Sequence, residues 1–180
     1  MFRISFATLV LILSPAVLAA EEMSFGGIEV GVTTCRQARG LLDASGAIAV
    51  ADTSAITRGP MYLLRAEAMG VGFVRSGSVL CDADADRIVA IELTIDKKAA
   101  NAVADLIARK HRIKSRHLPS LGVGRAAFVS GSGESLASID YVHLSFEAMV
   151  LMGTTGFADQ LATWQDERQR QKEGALEDAF

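Results

Sequence analysis

Three aspartates at alternate positions form the sharpest local pattern for chemistry in this chain. Asp82, Asp84 and Asp86 repeat the spacing with which a calcium loop presents carboxylates, because a hard cation takes several oxygen ligands at close range. Arg87 stands where such a loop needs glycine, and Leu93 stands where it needs glutamate. The same residues are typical of an acidic turn between two strands. We therefore expect a turn, keep these aspartates as a secondary metal candidate, and predict no other metal site and no cofactor.

A basic segment contrasts with the rest of the chain, whose formal net charge is -3. Five cations fall within residues 109–117: Arg109, Lys110, Arg112, Lys114 and Arg116. Such a cluster could contact an anionic component of the cell envelope or the acidic surface of another envelope protein. The alternative is a solvated helix end that the helix dipole stabilises. Nucleic acid is not expected as a partner, because the chain is net acidic and has few aromatic side chains to stack on bases.

No residue pattern identifies a catalytic centre. The sequence has no G-x-S-x-G elbow, and the glycines at 122 and 124 precede a predicted strand instead of following one, which argues against a nucleotide site. The spacing of His111 and His117 suits a zinc pair neither on a helix nor on a strand, and His143 falls on the predicted outward face of a strand. The catalytic residues are therefore unassigned, and a non-enzymatic function is favoured.

The first residues predict export. Arg3 precedes an apolar run that is too short to cross a bilayer, and the small residues at positions -3 and -1 of a cleavage after Ala19 suit signal peptidase. We expect residues 1–19 to be a cleaved signal peptide, with Ala20 as the alternative cleavage site, and the processed protein not to span the membrane. The mature chain would then lie in the bacterial periplasm or outside the cell. In that oxidising environment the only two cysteines, Cys35 and Cys81, are expected to form a disulfide bond.

The mature chain predicts a single α+β domain over residues 20–156, followed by a C-terminal helix and polar tail over 157–180. Thr34 and Gln37 form a capping box ahead of a first helix, and a second helix is predicted from Lys97 to about Arg112. Alternating patterns predict strands at 47–51, 61–66, 70–75, 78–81, 87–95, 125–129, 138–146 and 148–152. In the strand 87–95, residues 89, 91, 93 and 95 are expected to face the core.

The order of these elements predicts an antiparallel sheet packed by two helices, because strands follow one another in series. The two helix-then-strands units also hint at a degenerate internal repeat. A deep pocket with converging acids would favour an enzyme, whereas a flat or groove-like sheet face would favour a binding protein.

The segment Phe25-Gly-x-x-x-Val-Gly-Val-Thr33, just before the first helix, resembles the opening of two groups of small bacterial envelope domains. These are the outer-membrane assembly lipoproteins of the SmpA/OmlA type and the β-lactamase-inhibitor-like helix–hairpin repeats; this chain lacks the lipoprotein cysteine. The resemblance implies a binding module. We therefore expect a periplasmic interaction module of the bacterial envelope. The alternatives are a small hydrolase of envelope polymers and an inhibitor or immunity-type protein that covers another protein's active site.

Overall fold

The computed structural model describes residues 21–142 and 145–177, with side chains up to residue 175. The predicted signal peptide (1–19) and His143 lie outside the described residues. A small hairpin joins β1 (Ser24–Phe25) to β2 (Ile28–Glu29). A first unit then comprises α1 (Cys35–Ala44), β3 (Ile48–Thr53), β4 (Arg58–Leu64), β5 (Val74–Asp82) and β6 (Ile88–Asp96). A second unit comprises α2 (Ala100–Ala108), β7 (Arg112–His117), β8 (Arg125–Val129), β9 (Ser135–Tyr141) and β10 (Glu147–Thr154), and α3 (Thr155–Glu177) follows it.

The eight longer strands form one antiparallel sheet in the order β3-β4-β5-β6-β10-β9-β8-β7. Each unit thus contributes one helix and a four-stranded meander, and the two meanders join where β6 pairs with β10. This arrangement confirms the predicted α+β class, with an antiparallel sheet and a C-terminal helix. No helix within the described ranges is long and apolar enough to span a membrane.

Local chemistry explains where α1 begins and ends. The Thr34 hydroxyl accepts a hydrogen bond from the Gln37 amide at 3.1 Å, and the Gln37 side chain accepts one from the Thr34 amide at 3.0 Å. This is the predicted capping box, which satisfies amides that the first helical turn leaves free. Gly46 follows the helix with a φ of +66°, a conformation that glycine adopts without steric cost. The predicted Cys35–Cys81 disulfide is present and joins the first turn of α1 to β5.

The two faces of the sheet are packed differently. On the face that we call the front, α1 and α2 cover a large core that includes Ala38, Ile91, Ile95, Ala104 and Phe128. On the opposite face, the back, Phe157 of α3 packs against a smaller cluster formed by Leu80 and Ala90. Helix α3 therefore lies on the other side of the sheet from the first two helices.

A β-bulge corrects one detail of the predicted core face. Ile91, Leu93 and Ile95 lie in the front core as expected, but Val89 packs with the back cluster while Ile88 lies in front. The register between β5 and β6 shifts at Leu80/Cys81, which places Val89 and Ala90 on the same side. The alternation of apolar and polar residues in the sequence cannot reveal a bulge residue such as Val89, which has no partner in β5.

Several predicted boundaries were wrong, and two of the errors have identifiable reasons. The predicted strand 138–146, for example, begins earlier and ends at Tyr141, as β9. The second helix ends at Ala108 instead of Arg112, because residues 112–117 pair with β8 as the edge strand β7. The predicted strand 70–75 was wrong over residues 70–73, which precede β5 (Val74–Asp82). Its last two residues and the predicted strand 78–81 lie in this one strand, since Gly77 is not a turn residue. A Cβ atom at Gly77 would lie 2.9 Å from the Leu93 side chain, so this glycine permits close packing between β5 and β6.

Candidate binding groove

Strand registers align the residues of the back face in three rows that run across the sheet. The lower row comprises Met61, Leu80, Ala90, Gly153, Leu136 and Val129. The middle row comprises Leu63, Ser78, Glu92, Leu151, Ser138, Ala127 and Ser115. The upper row comprises Ser76, Thr94, Met149, Asp140, Arg125 and His117. The lower row is mainly apolar, whereas small and polar side chains dominate the other two.

Helix α3 packs on the lower row and leaves much of the other two open. Phe157 is 2% exposed and contacts the lower row, and a Cβ atom at Gly153 would approach its ring to 2.9 Å. Glycine at this position therefore lets the helix approach the sheet closely. One turn later Leu161 is only partly buried, and residues 165–173 are exposed. A groove of about 670 Å³ remains between α3 and the sheet.

The groove combines an apolar wall with a mixed floor. Leu161 and Trp164 of α3 form part of the wall, and the guanidinium group of Arg168 lies 4.8 Å from the centre of the Trp164 ring. Such a contact holds the ring face by cation–π attraction. The floor includes Leu151 and Met149, of which Met149 is 39% exposed. Apolar contact area is therefore available to a ligand in the middle of the sheet.

Four charged side chains line the groove: Glu92, Lys114, Arg125 and Asp140. Arg125 and Asp140 face each other across β8 and β9, with the Arg125 Nε atom 3.0 Å from the Asp140 Oδ1 atom. Two acids and two bases leave the lining with no net charge. A strongly charged ligand therefore gains little from the groove as a whole.

Glu92 is the residue with the most unusual environment in the groove. It is half-buried in the middle row between Ser78 and Leu151, and no hydrogen bond or ion pair of its carboxyl group is found among the described residues. Burial raises the pKa of Glu92. The sequence placed this residue on the polar face of its strand but carried no signal that the face is partly covered.

The structure does not gather the basic segment into one patch. Lys110 pairs with Glu21 at 2.5 Å, and Arg116 pairs with Asp105 at 2.6 Å on the α2 side of the sheet. Lys114 lines the groove on the back face. The remaining two cations, Arg109 and Arg112, are exposed. Only Lys114 therefore belongs to the candidate binding groove.

The aspartate pattern forms a tight turn between β5 and β6. The Asp82 Oδ1 atom accepts hydrogen bonds from the amides of Asp84 and Ala85 at 2.8 and 2.9 Å. Asp86 has a φ of +45°, and its carbonyl accepts a hydrogen bond from the Cys35 amide at 3.1 Å. These bonds account for the residue types without an ion. In the part of the chain that the structure describes, no three His, Cys, Asp or Glu residues are placed to hold a metal ion.

A second buried carboxylate, Glu22, escaped sequence-based prediction. It is 8% exposed and accepts hydrogen bonds from the hydroxyl groups of Ser132 and Ser135. Burial raises the pKa of Glu22, but hydrogen bonds from neighbouring serines outweigh this effect, so that the pKa is lowered overall. Ser135 also accepts a hydrogen bond from the Met23 amide at 3.0 Å. Glu22 therefore fixes the start of the described chain to the β8–β9 turn.

The chain matches no protein-family model, and neither a curated protein nor a solved structure is significantly similar to it. The resemblance of residues 25–33 to small envelope domains thus stays a prediction.

Proposed function

We propose that this protein is an exported, periplasmic binding module that holds an extended segment of another envelope protein in the groove on the back of the sheet. The observation that carries the proposal is the open floor beside α3, where Leu151 and Met149 are accessible and Glu92 has no partner among the described residues. An extended peptide supplies apolar side chains that can pack against Leu151 and Met149. Its backbone amide groups supply hydrogen-bond donors for the Glu92 carboxyl group.

Charge supports a protein segment over a polyanion. The lining carries Glu92 and Asp140 against Lys114 and Arg125, so a lipid headgroup or anionic polymer would meet as many acids as bases. The cations of the basic segment do not add to the groove, apart from Lys114. The predicted anionic partner is therefore less favoured than the predicted protein partner.

The shape of the groove also supports binding over hydrolysis. Glu92 and Asp140 are the acids of its described lining, and they lie on strands two apart, with backbones separated by about 10 Å. The Asp140 carboxylate is already engaged by the Arg125 guanidinium group, at 3.0 Å. The lining therefore offers one carboxyl group without a partner among the described residues, whereas glycoside hydrolysis uses a pair of free carboxyl groups.

The test uses a display library of random twelve-residue peptides selected on the purified mature protein. Selected peptides are titrated by fluorescence polarisation against two variants that each replace alanine by arginine. Ala127→Arg fills the middle row of the groove, whereas Ala44→Arg adds the same side chain to the exposed end of α1 on the front. We expect at least tenfold weaker binding to the first variant and unchanged binding to the second. Peptides that bind both variants as tightly as the wild type, or a library that yields no binder, would overturn the proposal.

A further inference from the structure

A second cavity lies on the front of the sheet, on the opposite side from the groove. It has a volume of about 280 Å³ and lies between α2, β1 and the central strands β6 and β10. Its lining is mainly apolar and includes Phe25, Leu93, Val103, Ile107 and Met152. At the ~30 Å³ that one water molecule occupies in the liquid, the space holds about nine non-hydrogen atoms. The front core is therefore incompletely filled beside α2.

His111 provides one polar group in this lining. Its side chain is buried, at 9% exposure, and its Nδ1 atom has no hydrogen-bond partner in the part of the chain that the structure describes. Buried polar atoms of folded proteins are almost always paired, so an unpaired atom beside a cavity calls for an explanation. A ligand in the cavity could supply the missing partner.

The charges near His111 restrict the polar group of such a ligand. Lys110 at the cavity is already paired with Glu21, and the carboxylate of Glu22 lies close enough to act on the imidazole. Burial lowers the pKa of His111; Lys110 adds to this effect, and the two glutamates oppose it. One cation and two carboxylates around a neutral imidazole disfavour a carboxylate or phosphate head. A hydroxyl group fits better, because it can either donate to a ring nitrogen or accept from it.

We propose that the cavity binds a small, uncharged, mainly apolar molecule of about nine or ten non-hydrogen atoms whose single hydroxyl group pairs with His111. The hydrocarbon body fills the space between α2 and the sheet. The hydroxyl group satisfies the Nδ1 atom. This site is separate from the peptide groove, and neither proposal depends on the other.

Three probes with the same body and different heads test the inference: 5-indanol, indane and indane-5-carboxylate. Each is titrated into the isotope-labelled mature protein, and amide shifts measure where and how tightly it binds. We expect 5-indanol to bind with a Kd of about 1 mM or below and to shift the amide signals of residues in α2 and β10. Indane should bind at least fivefold more weakly, and the carboxylate more weakly still.

Matched variants distinguish recognition of the hydroxyl group by His111 from binding that depends only on the volume of the cavity. His111→Phe should bind indane and 5-indanol equally, whereas His117→Phe, on the exposed end of β7, should keep the preference for the hydroxyl. Val103→Phe should block both probes, whereas Val123→Phe, at a position that is 74% exposed, should bind them normally. If His111→Phe melts far below the wild type, His111→Gln replaces it and should keep part of the preference for 5-indanol over indane. If Val103→Phe melts far below the wild type, Val103→Ile replaces it and should weaken the binding of both probes.

Several results would overturn the inference. Equal affinity of the wild type for 5-indanol and indane would show that His111 recognises nothing. Tighter binding of the carboxylate would contradict the choice of an uncharged head. Binding that survives Val103→Phe would place the site elsewhere, and no binding at millimolar concentration would show that the space is only a packing defect. Peptide binding in the groove should be unchanged in all front-face variants, so failure here is distinguishable from failure of the proposed function.

Discussion

Reduction of the Cys35–Cys81 disulfide should lower the stability of the fold by a predictable amount. The bond links residues 46 positions apart, and both cysteines are buried. A cross-link that closes a loop of this length stabilises a protein by about 4 kcal/mol in the chain-entropy model. For a chain of this size each kcal/mol corresponds to roughly 2–4 °C in Tm, so we expect Tm to fall by roughly 8–16 °C. Helix α1 should loosen first, since Ala38 and Leu42 are its other buried anchors.

The assay is thermal unfolding of residues 20–180 by circular dichroism, with and without a phosphine reductant. The double variant Cys35→Ala/Cys81→Ala is the control, because its Tm should be low and insensitive to the reductant. Hydrogen exchange should show faster exchange for the amides of α1 than for those of β6. A fall in Tm of less than about 2 °C, with two free thiols verified by titration, would refute the reasoning, because it would mean that the bridge hardly restricts the unfolded chain.

Three further substitutions test individual residues. Thr34→Ala should cost about 1 kcal/mol in urea unfolding through loss of the cap, and Thr34→Ser should restore most of it. Glu92→Gln should raise Tm at pH 7 by roughly 1–3 °C, because the raised pKa of Glu92 means that its ionised form destabilises the fold above that pKa. The gain in Tm should vanish near pH 4, where the carboxyl group is protonated in both the folded and the unfolded chain. A lower Tm of the variant at pH 7 would contradict a raised pKa of Glu92. Glu22→Gln should cost about 1–3 kcal/mol at pH 7. Because the pKa of Glu22 is lowered, the advantage of the wild type over this variant should disappear as pH falls below 4.5, and a difference independent of pH would argue against an ionised Glu22.

Local patterns predicted those parts of the fold whose causes are contiguous in sequence. The capping box needs only Thr34 and Gln37, three positions apart, and it forms as predicted. The disulfide could be predicted because the expected compartment is oxidising and because the chain has only two cysteines. By contrast, residues 112–117 were expected to end a helix, and pairing with β8 makes them a strand. Tertiary contacts override a helical pattern when an edge position in a sheet is available.

The groove could not be predicted because its residues meet only through strand register. Glu92 and Ser138 are 46 positions apart, yet both lie beside Leu151 in the middle row. A shift of one residue in either pairing would move one of them to the front. The same limit applies to Glu22, whose serine partners lie 110 and 113 positions away.

The open back face follows from the repeated topology. Each unit supplies one helix, so the front of both half-sheets is covered, whereas the back receives α3 alone. Where α3 packs, the lower row offers Leu80 and Ala90; beyond the helix the rows change to residues such as Ser78, Ser138 and Thr94. Small polar side chains let an uncovered sheet face meet water without a large apolar patch. Met149 and Leu151 are apolar side chains that remain in the centre of those rows. They gain the most burial from a bound partner, and for this reason we propose that the ligand binds there.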